Sequence, residues 1–341
     1  MKTTISLIEA GKNGQGLERQ IALFSQQMAK VRSEISKAIV GQAEVVEGIL
    51  IALLAGAHVL LEGVPGVGKT LLVRTLARVV SLKYSRIQFT PDLMPADVIG
   101  TSMVQEDGDG RQTLDFQPGP IFTNLLLADE INRTTPKTQS ALLEAMQETQ
   151  VTVGGETHLL EEPFMVMATQ NPIEMEGTYP LPEAQLDRFL FKVQVPFPKC
   201  EELRNILDRT TQEPVPEIHK VLDRSQILEM RRVARMVPLG PKVQDYVVRI
   251  VLGTHCNGNA NALANKYIRY GSSPRGAQAL ISGGKVRALL NGRFVVDTED
   301  VLALLKPALR HRIKLNFEAQ ADGREADGLL EEIAAATQKN G

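Results

Sequence analysis

Few features in this 341-residue chain point to a membrane, a disulfide scaffold or a nucleic-acid backbone. It has two cysteines, Cys200 and Cys256, far apart and in no metal-ligand spacing. That excludes a cysteine framework and fits reduced thiols in a cytosol. Basic residues show no excess: 38 Lys and Arg stand against 40 Asp and Glu, for a net charge of -2. A chain whose main task is gripping nucleic acid would usually be basic. The longest apolar run, residues 48–61, is broken by His58 and falls short of the ~20 residues a membrane span needs. It reads as the end of a helix over 45–57 feeding a buried strand at 58–61. Residues 1–20 hold no apolar stretch, which argues against a signal peptide. A soluble cytoplasmic protein without membrane insertion is therefore expected. At 43% hydrophobic and 23% charged, the composition is ordinary for a chain of two or three domains.

Ile21, Phe24, Met28, Val31 and Ile35 recur at spacings of three and four, one face of an amphipathic helix. From Gly41 to Pro196, short apolar strands alternate with helical patterns. Strands are expected at 59–62, 87–90, 125–129, 164–169 and 191–195, with helices at 71–80 and 138–148. This alternation predicts a parallel sheet with helices on both faces. Two segments break it. Residues 103–116 centre on Glu106-Asp107-Gly108-Asp109-Gly110-Arg111, and residues 151–160 hold Gly154-Gly155. Both read as β-hairpins inserted in the connections. Beyond Pro196, Pro198, Pro214 and Pro216 the pattern is helical, at 203–209, 225–235, 243–252, 275–290 and 298–305. The expected organisation is an N-terminal helix (1–38), an α/β nucleotide-binding core (39–198), a smaller all-α lid (199–318) and a tail (319–341). One short helix is expected in the tail at 329–335, with fraying at the chain's end.

The chemistry concentrates at Gly63-Val64-Pro65-Gly66-Val67-Gly68-Lys69-Thr70. This is G-x-x-x-x-G-K-[ST], and it follows an apolar strand and opens a helix, the setting a phosphate loop requires. Its glycines let backbone N–H groups converge on phosphate oxygens, and the helix presents its positive end to the same anion. Lys69 should reach the β- and γ-phosphates of ATP, and Thr70 should place its hydroxyl on Mg²⁺. Leu71, the next residue, completes the nucleotide-contacting set. Leu125-Leu126-Leu127-Ala128 then leads into Asp129-Glu130. A carboxylate at the end of a buried strand has few structural reasons to be there, because burying an unpaired charge is costly. Asp129 can orient a metal-bound water, and Glu130 can act as base toward the attacking water.

Phosphoryl transfer also needs positive charge near the γ-phosphate. Arg188 precedes the last strand, and Arg275 follows Pro274 at the start of a helix. Asn171, in Thr169-Gln170-Asn171-Pro172, follows the fourth strand and could bond a water or the γ-phosphate. An Asn-Pro turn explains that pair equally well. Lys83, Arg86 and Arg74 read as a solvated face, and Arg310-His311-Arg312-Lys314 as surface of the helical lid. The adjacent His255-Cys256 pair lacks the further ligands a metal site needs.

Here a resemblance becomes specific. Asp129-Glu130-Ile131-Asn132-Arg133, the segment from Gln139 to Glu148, and Ala168 to Phe189 resemble the MoxR family of AAA+ ATPases. The last stretch includes Glu176-Gly177-Thr178-Tyr179-Pro180-Leu181-Pro182-Glu183. The similarity runs from Ile39-Val40-Gly41-Gln42 through Ser273-Pro274-Arg275 to Arg310-His311-Arg312. It implies an AAA+ core with two hairpin inserts and a helical lid. Lys69 and Thr70 would be Walker A, and Asp129 and Glu130 Walker B. Asn171 would be the sensor-1 residue and Arg275 the sensor-2 residue. Arg188 would be the arginine finger of a neighbouring subunit's site, and Val40, Gly41 and Gln42 would lie near the adenine. Thr134-Thr135 in place of Ala-Pro, and Gly276 after Arg275, depart from the family's usual pattern without touching these positions. The resemblance further implies a ring, most commonly a hexamer. The ring would remodel or mature client protein complexes or aid metal-cofactor insertion, often beside von Willebrand A-domain partners. A magnesium-chelatase-like motor subunit is a close relative of this reading. Two other classes compete: a nucleic-acid translocating motor and an ATP-gated scaffold with negligible turnover. Residues 151–160 carry no Lys or Arg, and residues 103–116 carry only Arg111 against four acids. A hairpin tracking phosphates needs cations, so the motor is disfavoured. The full set of hydrolytic residues disfavours the scaffold.

Overall fold

The computed structural model describes residues 14–106, 112–172, 177–211, 216–256 and 261–339. The described residues form two compact units. One is α/β and runs from Lys37 to Ile218; the other is helical and combines residues up to Ser36 with those from His219 onward. The first helix, α1 (Gly14–Ala38), lies mostly in the helical unit.

The α/β unit begins with α2 (Ala43–Ala55), β1 (Val59–Glu62), α3 (Lys69–Val79) and β2 (Tyr84–Gln88). There follow α4 (Pro95–Ile99), β3 (Gly100–Glu106), β4 (Gln112–Pro118), β5 (Leu125–Asp129) and α5 (Pro136–Glu148). It ends with β6 (Gln150–Val153), β7 (Glu156–Leu159), β8 (Met165–Gln170), α6 (Glu183–Leu186), β9 (Phe191–Gln194) and α7 (Cys200–Thr211). Five strands form a parallel sheet in the order β2-β5-β8-β1-β9. All five residues of β5 are buried, as a central parallel strand covered on both faces requires. β2 lies at the sheet edge and begins three residues earlier than its apolar pattern predicts. An edge strand keeps one side in water, so Tyr84-Ser85-Arg86 carries no hydrophobic signal.

Both inserts are hairpins. β3 pairs antiparallel with β4, and β6 with β7. Gly154 and Gly155 both have positive φ (61° and 87°), which a two-residue turn between twisted strands demands. His158 of β7 stacks on Phe116 of β4 with centroids 3.8 Å apart, so the two inserts touch. His58 joins the core layers: its Nδ1 accepts from Val166 N (2.9 Å), leaving Nε2–H to donate to Met146 O (3.0 Å).

The helical unit adds α8 (Arg224–Met236), α9 (Pro241–Gly253), α10 (Ala262–Tyr267) and β10 (Ile268–Tyr270) to α1. It continues through α11 (Pro274–Leu290), α12 (Thr298–Leu309), β11 (Lys314–Leu315), α13 (Phe317–Ala321) and α14 (Ala326–Lys339). The stripe of Phe24, Met28, Val31 and Ile35 is buried, which groups α1 with this unit rather than leaving it apart. Ser25 Oγ donates to Leu290 O, and Glu34 Oε1 accepts from His219 N. Conversely α7, expected to open the lid, groups with the α/β unit.

One expectation for this unit is extended and another is corrected. The tail forms a helix of 14 residues with Leu329, Leu330 and Ile333 fully buried. The helix expected at 329–335 is therefore present and longer at both ends, anchored by that short apolar face; residues 340–341, where fraying is expected, lie outside the described residues. The basic cluster near 310 is not open surface. His311 and Arg312 are buried, and Arg310 forms a two-pronged bond with Asp327 at 2.7 and 3.0 Å. Arg312 packs beside Gly276, where a Cβ would collide with Ser272 Oγ and Leu309, so the glycine after Arg275 is a packing requirement. Among the described residues no helix is long and apolar enough to cross a membrane, and no group of three or more His, Cys, Asp or Glu could hold a metal.

Candidate nucleotide site

The phosphate loop joins β1, which lies between β8 and the edge strand β9, to α3. Gly66 and Gly68 have φ of 82° and 83°, a region L side chains rarely adopt. A Cβ on either would meet nothing within 4 Å, so the requirement is conformational and the space before the loop is open. The first turn of α3 carries no acid, leaving its positive end uncompensated. Lys69 Nζ donates to Gly63 O at 2.7 Å and is buried. Burial pulls its pKa below the ordinary lysine value, opposed in part by the charges of Asp129 and Glu130. An open anion cradle with a desolvated cation beside it fits a polyphosphate.

Around the loop, Val64 is half-buried, Pro65 exposed and Val67 buried. Thr70 is half-buried in the first turn of α3, and Leu71 is exposed. The Val40-Gly41-Gln42 segment is tied to the loop's middle: Gln42 Nε2 donates to Val67 O at 2.9 Å. Gly41 and Gln42 both have positive φ (67° and 56°). Among the described residues, Gln42 Oε1 is buried without a hydrogen-bond partner.

Asp129 ends β5 between β2 and β8, and both neighbours hold it. Its Oδ1 accepts from Thr169 Oγ1 at 2.6 Å. Its Oδ2 accepts from Arg86 Nη2 at 2.7 Å and Nε at 3.2 Å. Thr169 Oγ1 also accepts from Glu130 N at 2.8 Å, so one buried hydroxyl on β8 links both acidic residues. Glu130 sits in the left-handed region (φ 57°, ψ 50°), which costs a non-glycine residue about 1–2 kcal/mol. Strain of that kind persists where the surroundings over-determine it. Here Glu130 Oε2 accepts from Gln88 Nε2 (2.9 Å) and Arg133 Nη1 (3.1 Å). Gln139 Nε2 donates to Ile131 O and Thr134 O, fastening the segment that follows.

Asn171 is buried just beyond β8, and the preceding Gln170 O accepts from Gly63 N at 3.3 Å. That sets Asn171 at the root of the phosphate loop. Arg188 is not paired with Asp129 or Glu130; its Nη1 donates to Leu143 O of α5 at 2.5 Å. Arg275 belongs to the helical unit, where its N–H caps onto Ser273 Oγ at the start of α11.

Arg86 stays 45% exposed, in keeping with a solvated face, yet it also belongs to the site. Its guanidinium grips the carboxylate of Asp129, because β2 lies next to β5 and Gln88 pairs in register with Asp129. Lys83 does stay exposed, pairing with Glu161. Thr169, Arg86, Gln88 and Arg133 were not foreseen as site residues. Arg86 and Gln88 lie two apart on one strand and so face one side, but only strand order shows which carboxylates they meet.

Comparison with known proteins agrees with this geometry. A family profile described as "ATPase family associated with various cellular activities (AAA)" matches residues 58–191, and an "AAA lid domain" profile matches residues 260–333. The chain is 47% identical to "Chaperone MoxR1" of Mycobacterium tuberculosis over 85% of this chain and 76% of that protein. It is 32% identical to "Protein MoxR" of Methylorubrum extorquens, over 84% and 87% of the two chains. The solved structure of a candidate ATPase from Cytophaga hutchinsonii superposes with a TM-score of 0.85 at 38% identity, covering 94% of this chain and 96% of that one. An open phosphate loop beside a hydrogen-bonded Asp-Glu pair, a helical lid and this degree of likeness together place the chain in the MoxR family of AAA+ ATPases.

Proposed function

We propose that this protein hydrolyses ATP to ADP and phosphate with Mg²⁺ and uses the cycle to remodel or mature partner protein complexes. The observation that carries the hydrolytic reading is the Asp129–Thr169–Glu130 network beside an open phosphate loop. Lys69 and the loop's N–H groups bind the phosphates. Mg²⁺, held by the Thr70 hydroxyl and Asp129, would supply positive charge across the β- and γ-phosphates. Glu130 Oε2 is occupied by Gln88 and Arg133, leaving Oε1 to take the proton from the attacking water. Asn171 orients that water or the γ-phosphate. Arg188 acts as a finger toward the next subunit's nucleotide, and Arg275 senses the nucleotide from the lid. A ring, most simply a hexamer, follows from that reading. Remodelling of client complexes is supported by the chaperone name of the Mycobacterium tuberculosis relative.

The test is Glu130→Gln. It should bind ATP with near-normal affinity by calorimetry while phosphate release falls at least about a hundredfold. Normal phosphate release would remove Glu130 from the base role. Captured in its ATP-bound form, the same variant should retain client complexes for mass spectrometry.

A further inference from the structure

A triphosphate seated in the Gly63–Thr70 loop must send its sugar and base away from the Asp129–Glu130 side. The opposite flank of the loop is marked by the Gly41–Gln42 turn, which Gln42 ties to Val67 O. Gly41 is exposed, and the carboxylate of Glu202 is the nearest group on the side where a Cβ would stand. A Cβ on Gly41 would run into Glu202 Oε1 and Cδ. Glu202 lies in the first turn of α7, in the same α/β unit. Its Oε2 accepts from Lys199 N at 2.8 Å, a helix-capping bond that fixes the carboxylate's orientation. Among the described residues, Oε1 makes no hydrogen bond or ion pair.

We propose that Glu202 is a base-selecting residue: its Oε1 accepts a hydrogen bond from the exocyclic amino group of adenine. This rests on the reading of the Gly63–Thr70 loop as the triphosphate site. A fixed, charged acceptor suits a base with an amino group at position 6 and opposes one with a carbonyl oxygen there. Carboxylates can also read guanine, but they do so through both oxygens at once, and Oε2 is committed to Lys199 N–H. One available oxygen matches one amino group. A capping carboxylate with no second role would have no need to lie over the exposed backbone beside the loop.

Glu202→Gln separates these roles. The Gln oxygen keeps the Lys199 cap, so its NH₂ takes the place of Oε1 and turns an acceptor into a donor. Competition binding would compare ATP, GTP, purine riboside triphosphate (which lacks the amino group) and inorganic tripolyphosphate. The wild type should prefer ATP to purine riboside triphosphate by about 10- to 100-fold, the range of one hydrogen bond to a charged group. In Glu202→Gln that preference should vanish, GTP should gain relative to ATP, and tripolyphosphate affinity and Tm should hold. An unchanged ATP preference with intact tripolyphosphate binding overturns the proposal, as does an equal loss for all four ligands. Lys69→Ala is the control for the underlying reading. If it binds tripolyphosphate as tightly as the wild type, the loop is not the phosphate site and the base assignment falls with it.

Discussion

Replacing Thr169 by Val removes one hydroxyl while keeping the side chain's volume and branching. In the folded protein that oxygen donates to Asp129 Oδ1 at 2.6 Å and accepts from Glu130 N at 2.8 Å, with no solvent access. Losing the bond to a charged partner costs about 1.5–3 kcal/mol, and leaving a buried N–H unpaired costs about 1–3 kcal/mol. Both losses pass through one atom, so they will not add fully, and about 3 kcal/mol is the working figure. For a unit of this size each kcal/mol moves Tm by roughly 2–4 °C, which predicts a drop of about 6–12 °C. The effect on chemistry is separate. Glu130 holds a left-handed backbone conformation that the Thr169 bond helps impose, so its carboxylate should lose its aim. Turnover should fall about 10- to 100-fold, while ATP affinity stays within about threefold because the phosphate loop is untouched. Differential scanning fluorimetry, calorimetry and phosphate release read the three quantities. Thr169→Ser keeps the hydroxyl and should recover most of the turnover. A Val variant with wild-type Tm and turnover, or a Ser variant as slow as Val, would refute the assigned role of the hydroxyl.

Two further predictions concern the arginines. Arg188→Ala should bind ATP but fail to hydrolyse it, and mixing it with Lys69→Ala subunits should restore part of the phosphate release if Arg188 acts across an interface; absence of rescue in confirmed mixed assemblies would assign it a role within its own chain. Arg86→Ala removes a partly exposed partner of Asp129, a pair worth about 1 kcal/mol or less, so Tm should change by only a few degrees and the Mg²⁺ concentration giving half-maximal turnover should fall by up to about fivefold; a higher Mg²⁺ requirement would show that Arg86 supports the metal carboxylate rather than competing for it.

Local patterns carried much of this protein. The phosphate loop could be read because its geometry is made by consecutive residues: an apolar strand, glycines with positive φ, then a lysine opening a helix. β5 could be read because a strand buried on both faces must be apolar throughout, which makes the Asp129-Glu130 that follows conspicuous. The hairpin at Gly154-Gly155 is equally local. Tertiary structure decided everything that depends on which strands are neighbours. Arg86 looked like a solvent-facing residue because β2 is an edge strand with little apolar signal, yet strand order sets it against Asp129. Thr169 and Glu130 are 39 positions apart and meet only because β8 lies beside β5. The same holds for Glu202 over Gly41, and for the tail helix, which is anchored by burial of Leu329, Leu330 and Ile333. Sequence alone picked out the groups proposed to bind a nucleotide, because those groups are set by local backbone conformation. Only the fold decided how they are held, since hydrogen bonds between strands depend on a sheet order that no single segment encodes.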